Sequence, residues 1–190
     1  MLERALADLR GWRDAGLDLK VAVNVSARQL QAPELPDQVA AALARHGVEP
    51  QRLRLEITEP TLMLDSEAAS QAVRAFKAQG VEMAIDNFGT GYSSLGLVRG
   101  LPIQVVKIDK SLVSYCPSKR ECAAIVQAAS AMSRVLGIRV VAEGVETEEQ
   151  RDAMHALGCD GMQGYLLARP MDAAGIAAMM RAAAEHTLFA

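Results

Sequence analysis

Polar side chains stand at the ends of short apolar stretches that recur along this 190-residue chain. Each apolar stretch is followed by a turn marked by Gly or Pro and then by an Ala-rich amphipathic stretch, a pattern typical of buried parallel strands alternating with helices. The carboxyl ends of parallel strands meet at one edge of a sheet or one mouth of a barrel, so side chains there can converge. The residues concerned are Asn24, Glu56, Asp86, Lys107 with Asp109, Glu143 and Gln163.

Four of these positions, Asn24, Glu56, Asp86 and Glu143, offer oxygen ligands, and three of the four are carboxylates. Converging carboxylates repel one another unless a cation lies among them, and an all-oxygen shell without Cys or His favours Mg²⁺ or Mn²⁺. Two such ions about 4 Å apart can clamp a phosphodiester and ionise the attacking water. Lys107 could neutralise a phosphoryl oxygen or hold the nucleophile, and Glu143 could accept the proton of the water.

A single polar residue at a strand end is more simply explained as a helix cap or a solvated loop residue. Because five or six strands share the feature, a common site is the better interpretation. The segment 86–95 adds to it, since two glycines, a threonine and two serines after a strand indicate a turn with an unusual backbone path. Its composition alone also fits an ordinary loop.

The same pattern predicts the strands and helices that must position these residues. Glycines just past helical stretches and just before strands indicate helix ends in the left-handed conformation, at Gly16, Gly47, Gly80, Gly137 and Gly158. The predicted strands lie at about 20–25, 52–58, 81–86, 104–109, 138–143 and 161–165. The predicted helices lie at about 2–15, 37–46, 66–79, 93–99, 119–136, 147–157 and 173–186.

Alternating strands and helices are compatible with an open doubly wound sheet or with a barrel. An open sheet would gather functional groups mainly at one switch point, and no glycine-rich phosphate loop follows the first strand. Polar groups at the ends of successive strands favour a TIM-like (β/α)8 barrel. Because such a barrel has eight strands and only six are found, we expect it to be incomplete.

The composition favours one α/β domain and excludes several classes of protein. Hydrophobic residues make up 51% of the chain and aromatic residues 4%, so we expect a packed core and no disorder. A net charge of −3 without a Lys/Arg run argues against binding to a nucleic acid polymer. The cysteines form no CxxC pair, which favours a reducing cytoplasm over a disulfide framework or a zinc site. No signal peptide and no apolar run of membrane-spanning length are found.

Six segments carry a resemblance to a known family, the EAL family. They occur in the family's order and with family-like spacing over about 20–170. They are Val23-Asn24-Val25-Ser26, Leu55-Glu56-Ile57-Thr58-Glu59, the run 86–95, Lys107-Ile108-Asp109, Ala142-Glu143-Gly144-Val145-Glu146-Thr147 and Gln163-Gly164-Tyr165. The resemblance implies a modified (β/α)8 barrel in bacterial signal transduction that hydrolyses cyclic di-GMP to linear pGpG, with Mg²⁺ or Mn²⁺, two ions in the complete domain.

The resemblance also implies a role for each matching position. It assigns metal coordination to Asn24, Glu56 and Asp86, with a share for Asn87. It assigns Lys107 to the phosphate or the water, and Glu143 to the role of general base. It places Asp109 and Gln163 in the active site and Glu146 near the metal-bound site, and it makes Glu59 a second-shell residue that anchors the Gly-rich loop.

Two departures from the family's pattern bear on activity. No Glu-Ala-Leu tripeptide occurs in the chain. We therefore expect residues 1–190 to form a single EAL-type domain that lacks its first two strands, together with the signature metal-ligand Glu and the arginine that follows it. Asn87 stands where the family usually has a second Asp, and because its amide brings no charge we expect a weaker second metal site.

Three functions remain open at this point. The chain is a phosphodiesterase domain, of little or no activity in isolation; or it is a non-catalytic domain that binds cyclic di-GMP or docks a partner; or it is an incomplete barrel without a ligand. Unpaired sheet edges favour self-association. The resemblance favours a homodimer, although the sequence leaves the oligomeric state open.

Overall fold

The computed structural model describes residues 1–64, 66–90 and 100–187. Its strands form one parallel six-stranded sheet in chain order, and the sheet curls into a half-barrel. The strands are β1 (Val21–Asn24), β2 (Leu53–Thr58), β3 (Glu82–Phe88), β4 (Val105–Ile108), β5 (Arg139–Glu143) and β6 (Gly161–Gln163). The predicted incomplete TIM-like barrel of six strands is therefore confirmed.

Helices connect these strands, as the alternating pattern predicts. They are α1 (Leu2–Asp14), α2 (Ala27–Leu30), α3 (Leu35–His46), α4 (Glu59–Leu64), α5 (Ser66–Gln79), α6 (Lys110–Tyr115), α7 (Arg120–Leu136), α8 (Glu148–Ala156) and α9 (Ala173–Thr187), with a 3-10 turn at Pro50–Arg52. The predicted short helix at 93–99 lies outside the described residues. All five glycines expected to end helices have positive φ.

Three short helices, α2, α4 and α6, follow strands directly and were not predicted. Each is too short to show the apolar period of a longer helix. Local capping defines two of their starts: Ser26 and Gln29 form a capping box for α2, and the Asp109 carboxylate accepts a hydrogen bond from the Ser111 backbone N–H at the start of α6. Polar residues at strand ends therefore also begin helices here.

Alternation within β2 separates an apolar face from a polar one. In β2, Leu53, Leu55 and Ile57 are fully buried in the core, while Arg54 and Glu56 point to the opposite face and make ion pairs with other strands. The first and last helices also meet, because the Trp12 indole N–H donates to the Ala173 carbonyl at 2.9 Å. In the part of the chain that is described, no helix is long and apolar enough to cross a membrane.

Candidate active site

The sheet register brings the predicted residues to the carboxyl ends of neighbouring strands. Asn24 pairs with Glu56 across β1 and β2, and Glu143 pairs with Gln163 across β5 and β6. Asp86 pairs with Thr58, two residues beyond Glu56 on β2. Residues in register on parallel strands point to the same face, so these polar side chains face one mouth of the half-barrel.

Lys107 lies at the centre of this mouth. Its Nζ donates to Glu56 Oε2 at 2.7 Å, lies 2.6 Å from Glu143 Oε1, and is 3.7 Å from Asp86 Oδ1. The side chain is only 8% exposed, so these contacts are shielded from solvent. Burial alone would lower the pKa of Lys107, but its hydrogen bonds to Glu143 and Glu56 outweigh burial and the net pKa is raised. Lys107 is therefore a permanent cation at neutral pH.

Glu143 has a raised pKa. Burial is the largest cause, because it disfavours the charged carboxylate, and the neighbouring Asp86 carboxylate adds to the shift by repulsion. The contact with Lys107 opposes the shift without cancelling it. A carboxylate whose pKa is moved toward neutrality is a better proton acceptor for a water molecule than an ordinary surface carboxylate.

The donor chemistry of this mouth fits a hard divalent cation. Glu56, Asp86 and Glu143 carry three negative charges against the single positive charge of Lys107, and the amide of Asn24 adds a fourth oxygen beside Glu56. The three carboxylates surround Lys107. Within the described ranges, no group of three or more His, Cys, Asp or Glu side chains is arranged to hold a metal by itself. A metal here would need Asn24, or water, as part of its shell.

Asn87 adopts an unusual backbone conformation at the end of β3. Its φ is +56°, the only positive value among the non-glycine residues that the structure describes. Asn is among the residues that tolerate this left-handed region best. Its backbone N–H donates to Asp86 Oδ1 at 3.0 Å, and Thr90 Oγ1 donates to its carbonyl at 3.0 Å. Asn87 therefore turns the chain sharply beside the Asp86 carboxylate.

Glu59 is buried at the start of α4, directly after β2. It is 4% exposed, and its Oε2 has no hydrogen-bond partner among the described residues. The loop that it is predicted to anchor lies largely at 91–99, outside the described residues. The anchoring role of this buried carboxylate therefore stays a prediction.

The remaining predicted residues lie at the rim. Asp109 accepts hydrogen bonds from the backbone N–H and the hydroxyl of Ser111, so its observed contacts are those of a helix cap. Gln163 and Glu146 are exposed, and the Glu146 backbone N–H donates to Gln150 Oε1 at 2.7 Å. The structure thus places Lys107 in contact with Glu56, Asp86 and Glu143. Asp109, Gln163 and Glu146 lie at the rim around this cluster.

Two contacts near the strand ends were not predicted from the sequence. Thr58 and Thr61 share a hydroxyl hydrogen bond of 2.8 Å, next to Glu59. The Arg169 guanidinium lies 4.9 Å from the ring centroid of Tyr165. Tyr165 and Arg169 are four positions apart, and this spacing is the sequence signal for their contact. The apolar pattern by itself predicts only a strand end and a loop at this place.

Proteins of a known family are similar to this chain. A family model described as the EAL domain matches residues 1–170. The bifunctional diguanylate cyclase/cyclic di-GMP phosphodiesterase MucR of Pseudomonas aeruginosa is 44% identical over 174 residues, which cover 91% of this chain and 25% of MucR. The cyclic di-GMP phosphodiesterase NbdA of the same organism is 39% identical over 183 residues, which cover 96% of this chain and 23% of NbdA. The chain spans about a quarter of the length of these curated relatives.

Solved structures agree with this similarity. The PaMucR phosphodiesterase in complex with c-di-GMP matches with a TM-score of 0.88 at 44% identity, over 92% of this chain and 71% of that one. BlrP1 of Klebsiella pneumoniae, in a complex with calcium and cyclic di-GMP, matches with a TM-score of 0.82 at 28% identity, over 88% of this chain and 42% of that one. A manganese complex of BlrP1 with the same nucleotide matches with a TM-score of 0.80 at 28% identity, over 86% of this chain and 42% of that one.

Proposed function

The chain belongs to the EAL domain family, and from that premise we propose that it is a phosphodiesterase domain that binds cyclic di-GMP and hydrolyses it to linear pGpG with Mg²⁺ or Mn²⁺, with low activity in isolation. The observation that carries the proposal is the buried Lys107 held between Glu56 and Glu143 at the mouth of the half-barrel. Closely packed titratable groups with perturbed pKa values are a feature of functional sites, and the acidic groups here outnumber the one cation among them.

The metal would be held by Asn24, Glu56 and Asp86, with the Asn87 amide as a neutral donor. When bound, a divalent ion of this kind polarises the phosphodiester and lowers the pKa of the attacking water. The complexes of BlrP1 with calcium and with manganese support a divalent ion in this family. The all-oxygen donor set of this chain supports the same class of ion.

Glu143 and Lys107 divide the proton and charge chemistry between them. Glu143 accepts a proton from water, the water oxygen bonds to phosphorus, and the bond from phosphorus to the 3′ oxygen breaks. The leaving 3′ oxygen takes a proton from solvent and Glu143 returns its proton to solvent, which gives a 3′ hydroxyl and a 5′ phosphate. Lys107, 2.6 Å from Glu143, orients that carboxylate and neutralises charge that builds up on the phosphoryl oxygens.

A second function, binding without hydrolysis, is favoured by one observation. Asn87 gives a neutral ligand where a carboxylate would add a negative charge, and this weakens any second metal bound there. A chain with one strong metal position still recognises the nucleotide but hydrolyses it slowly. Measurements of binding and of product formation on the same sample separate the two functions.

The test is product formation from cyclic di-GMP with Mn²⁺ or Mg²⁺, followed by chromatography of pGpG. Glu143→Gln keeps the shape of the side chain and removes the proton acceptor, so we expect the rate to fall by about 10²- to 10⁴-fold. The matched control is Glu148→Gln, the same change at an exposed position in the first turn of α8, which should leave the rate unchanged.

Turnover that survives Glu143→Gln would contradict the role given to Glu143. Tight binding of the nucleotide without product in the unaltered chain would favour the binding function over hydrolysis for these 190 residues. Absence of both binding and product would reject the proposed function.

A further inference from the structure

An exposed aromatic residue stands at the mouth of the half-barrel, and the role inferred for it rests on the proposed function. Tyr165 comes two residues after Gln163, the last residue of β6 and the register partner of Glu143. Its side chain is 54% exposed. Because β5 and β6 are parallel neighbours, Tyr165 stands on the same rim as the general base.

The backbone that carries Tyr165 is held in place by a glycine. A Cβ atom at Gly164 would collide with the backbone of Val145, so only glycine allows the two segments to approach this closely. Val145 N–H donates to the Gln163 carbonyl at 3.0 Å, and Leu166 N–H donates to the Val145 carbonyl at 3.0 Å. The turn after β6 is therefore joined directly to the loop that follows Glu143.

The Tyr165 ring is also held from one side. Arg169 lies 4.9 Å from the ring centroid, and backbone hydrogen bonds from Leu167 and Ala168 to the Gly164 carbonyl close the intervening turn. Arg169 takes part in none of the ion pairs found between described residues. One face of the ring thus carries a cation, while most of the ring stays in solvent instead of packing into the core.

A single exposed aromatic residue is common on protein surfaces and by itself indicates nothing. Tyr115 provides the comparison inside this molecule: it is 51% exposed, and Lys119 lies 4.1 Å from its ring centroid. Tyr115 is the last residue of α6, at the opposite end of that helix from Lys110, which follows the end of β4. Tyr165 differs in its rigid attachment to the β5 loop and its position on the rim.

We propose that Tyr165 is a stacking platform for one guanine base of cyclic di-GMP, with Arg169 as the residue that positions its ring. The ligand has two flat purines joined by two phosphodiesters, and purines stack on aromatic rings. Lys107 is already engaged by Glu56 and Glu143, so Arg169 supplies positive charge near the rim for the anionic ligand. One face of the ring takes the base and the other carries the guanidinium.

Affinity of the 190-residue chain for cyclic di-GMP tests the proposal, measured by calorimetry in Ca²⁺. Tyr165→Ala should weaken binding by about 5- to 150-fold, the range expected for loss of one stacked base. Tyr165→Phe keeps the ring and should bind within about twofold of the unaltered chain. Tyr115→Ala is the matched control and should not change the affinity. Arg169→Gln should weaken binding and reduce its dependence on salt, because it removes a positive charge close to the anionic ligand and loosens the ring that Arg169 positions.

A spectroscopic measurement separates stacking from an effect on folding. Tyr165→Trp places an indole at the proposed platform, and stacking of guanine should quench its fluorescence when cyclic di-GMP is added. Tyr115→Trp should show no quenching, and the single native tryptophan, buried Trp12, is the same background in both variants.

The outcomes distinguish this inference from the function on which it rests. If the unaltered chain binds no cyclic di-GMP, both are rejected. If it binds but Tyr165→Ala behaves like Tyr115→Ala, or the two indoles respond alike, the stacking platform is rejected while the proposed function stands.

Discussion

At the scale of single residues, the site contains more carboxylates than cations. Lys107 contacts three carboxylates, and its raised pKa keeps it charged, yet Glu143 still has a raised pKa because it is buried and lies beside Asp86. One ammonium group therefore does not satisfy the carboxylates around it. The uncompensated negative charge at this mouth is the physical reason to expect a divalent cation there.

Asn87 adds no negative charge next to Asp86, and Asn87→Asp should add one. We expect the variant to bind Mn²⁺ more tightly, by roughly tenfold or about 1.4 kcal/mol, because an acidic ligand adds direct Coulomb attraction. Asp also adopts positive φ more readily than most residues, so the backbone at 87 should be retained. Calorimetric titration of the metal measures the change. The control is Gln127→Glu, which adds the same charge on the exposed side of α7. Equal metal affinity of the unaltered chain and of both variants would contradict the expectation.

At the scale of elements, a close backbone approach decides where the last strand, β6, stops. β6 ends at Gln163, although the apolar pattern predicts a strand to 165. The chain turns at Gly164 because its backbone packs directly against Val145, and the hydrogen bonds of Leu166 and Val145 replace further strand pairing. The turn then presents Tyr165 on the rim.

Gly164→Ala tests the importance of this approach. The added methyl group would overlap the Val145 backbone, so we expect a loss of about 1–3 kcal/mol in the free energy of unfolding. Gly11→Ala is a natural control, because Gly11 lies within α1 and a Cβ there meets nothing within 4 Å. That second change should stabilise the chain by about 0.5–1 kcal/mol through helix propensity. Urea denaturation followed by circular dichroism measures both, and equal effects of the two changes would exclude a tight contact at Gly164.

At the scale of the whole molecule, the half-barrel carries one cluster of charged side chains at each end of its strands, and the two clusters have opposite net charge. The carboxyl ends of the strands carry Glu56, Asp86 and Glu143 around Lys107. Glu82 lies four residues before Asp86 on β3, which is about 13 Å along the strand. Its carboxylate forms ion pairs with Lys20 Nζ at 2.5 Å, Arg54 Nη2 at 2.8 Å and Arg139 Nη2 at 3.3 Å. These cations belong to β2, β5 and the residue before β1, so one carboxylate joins the starts of four strands.

Glu82 should make folding stability depend on pH. Burial alone would raise the pKa of Glu82, but hydrogen bonds from Lys20 and Arg54 outweigh it and the net pKa is lowered. A lowered pKa contributes stability that is present above the unfolded pKa and is lost as pH falls through the folded value. Glu82→Gln should therefore lower the free energy of unfolding by about 1–3 kcal/mol at pH 7, and the difference should shrink below pH ~4.

Denaturation by urea at several pH values measures that difference. Glu148→Gln, an exposed change on α8, is the control for removing one acid. A difference between the Glu82 variant and the unaltered chain that stays constant from about pH 7 to about pH 3 would contradict the ion-pair explanation.

The sequence by itself determined the alternating strands and helices, because buried parallel strands need uninterrupted apolar runs and helices need a period near four. It also determined which residues stand at the carboxyl ends of the strands, since polar residues there interrupt otherwise apolar stretches. Of the predicted site, the structure brings Lys107 together with Glu56, Asp86 and Glu143; Asp109 caps a helix, and 91–99 lies outside the described residues.

Only the tertiary structure decided which charges meet. Lys107 and Glu56 are 51 positions apart in the chain, and Lys20 and Glu82 are 62 apart, so no local pattern indicates either pair. The collision that requires glycine at 164 and the place of Tyr165, two residues after the register partner of Glu143, likewise arise where β5 packs against β6. Contacts between distant segments depend on strand register and backbone proximity, which are properties of the packed sheet as a whole.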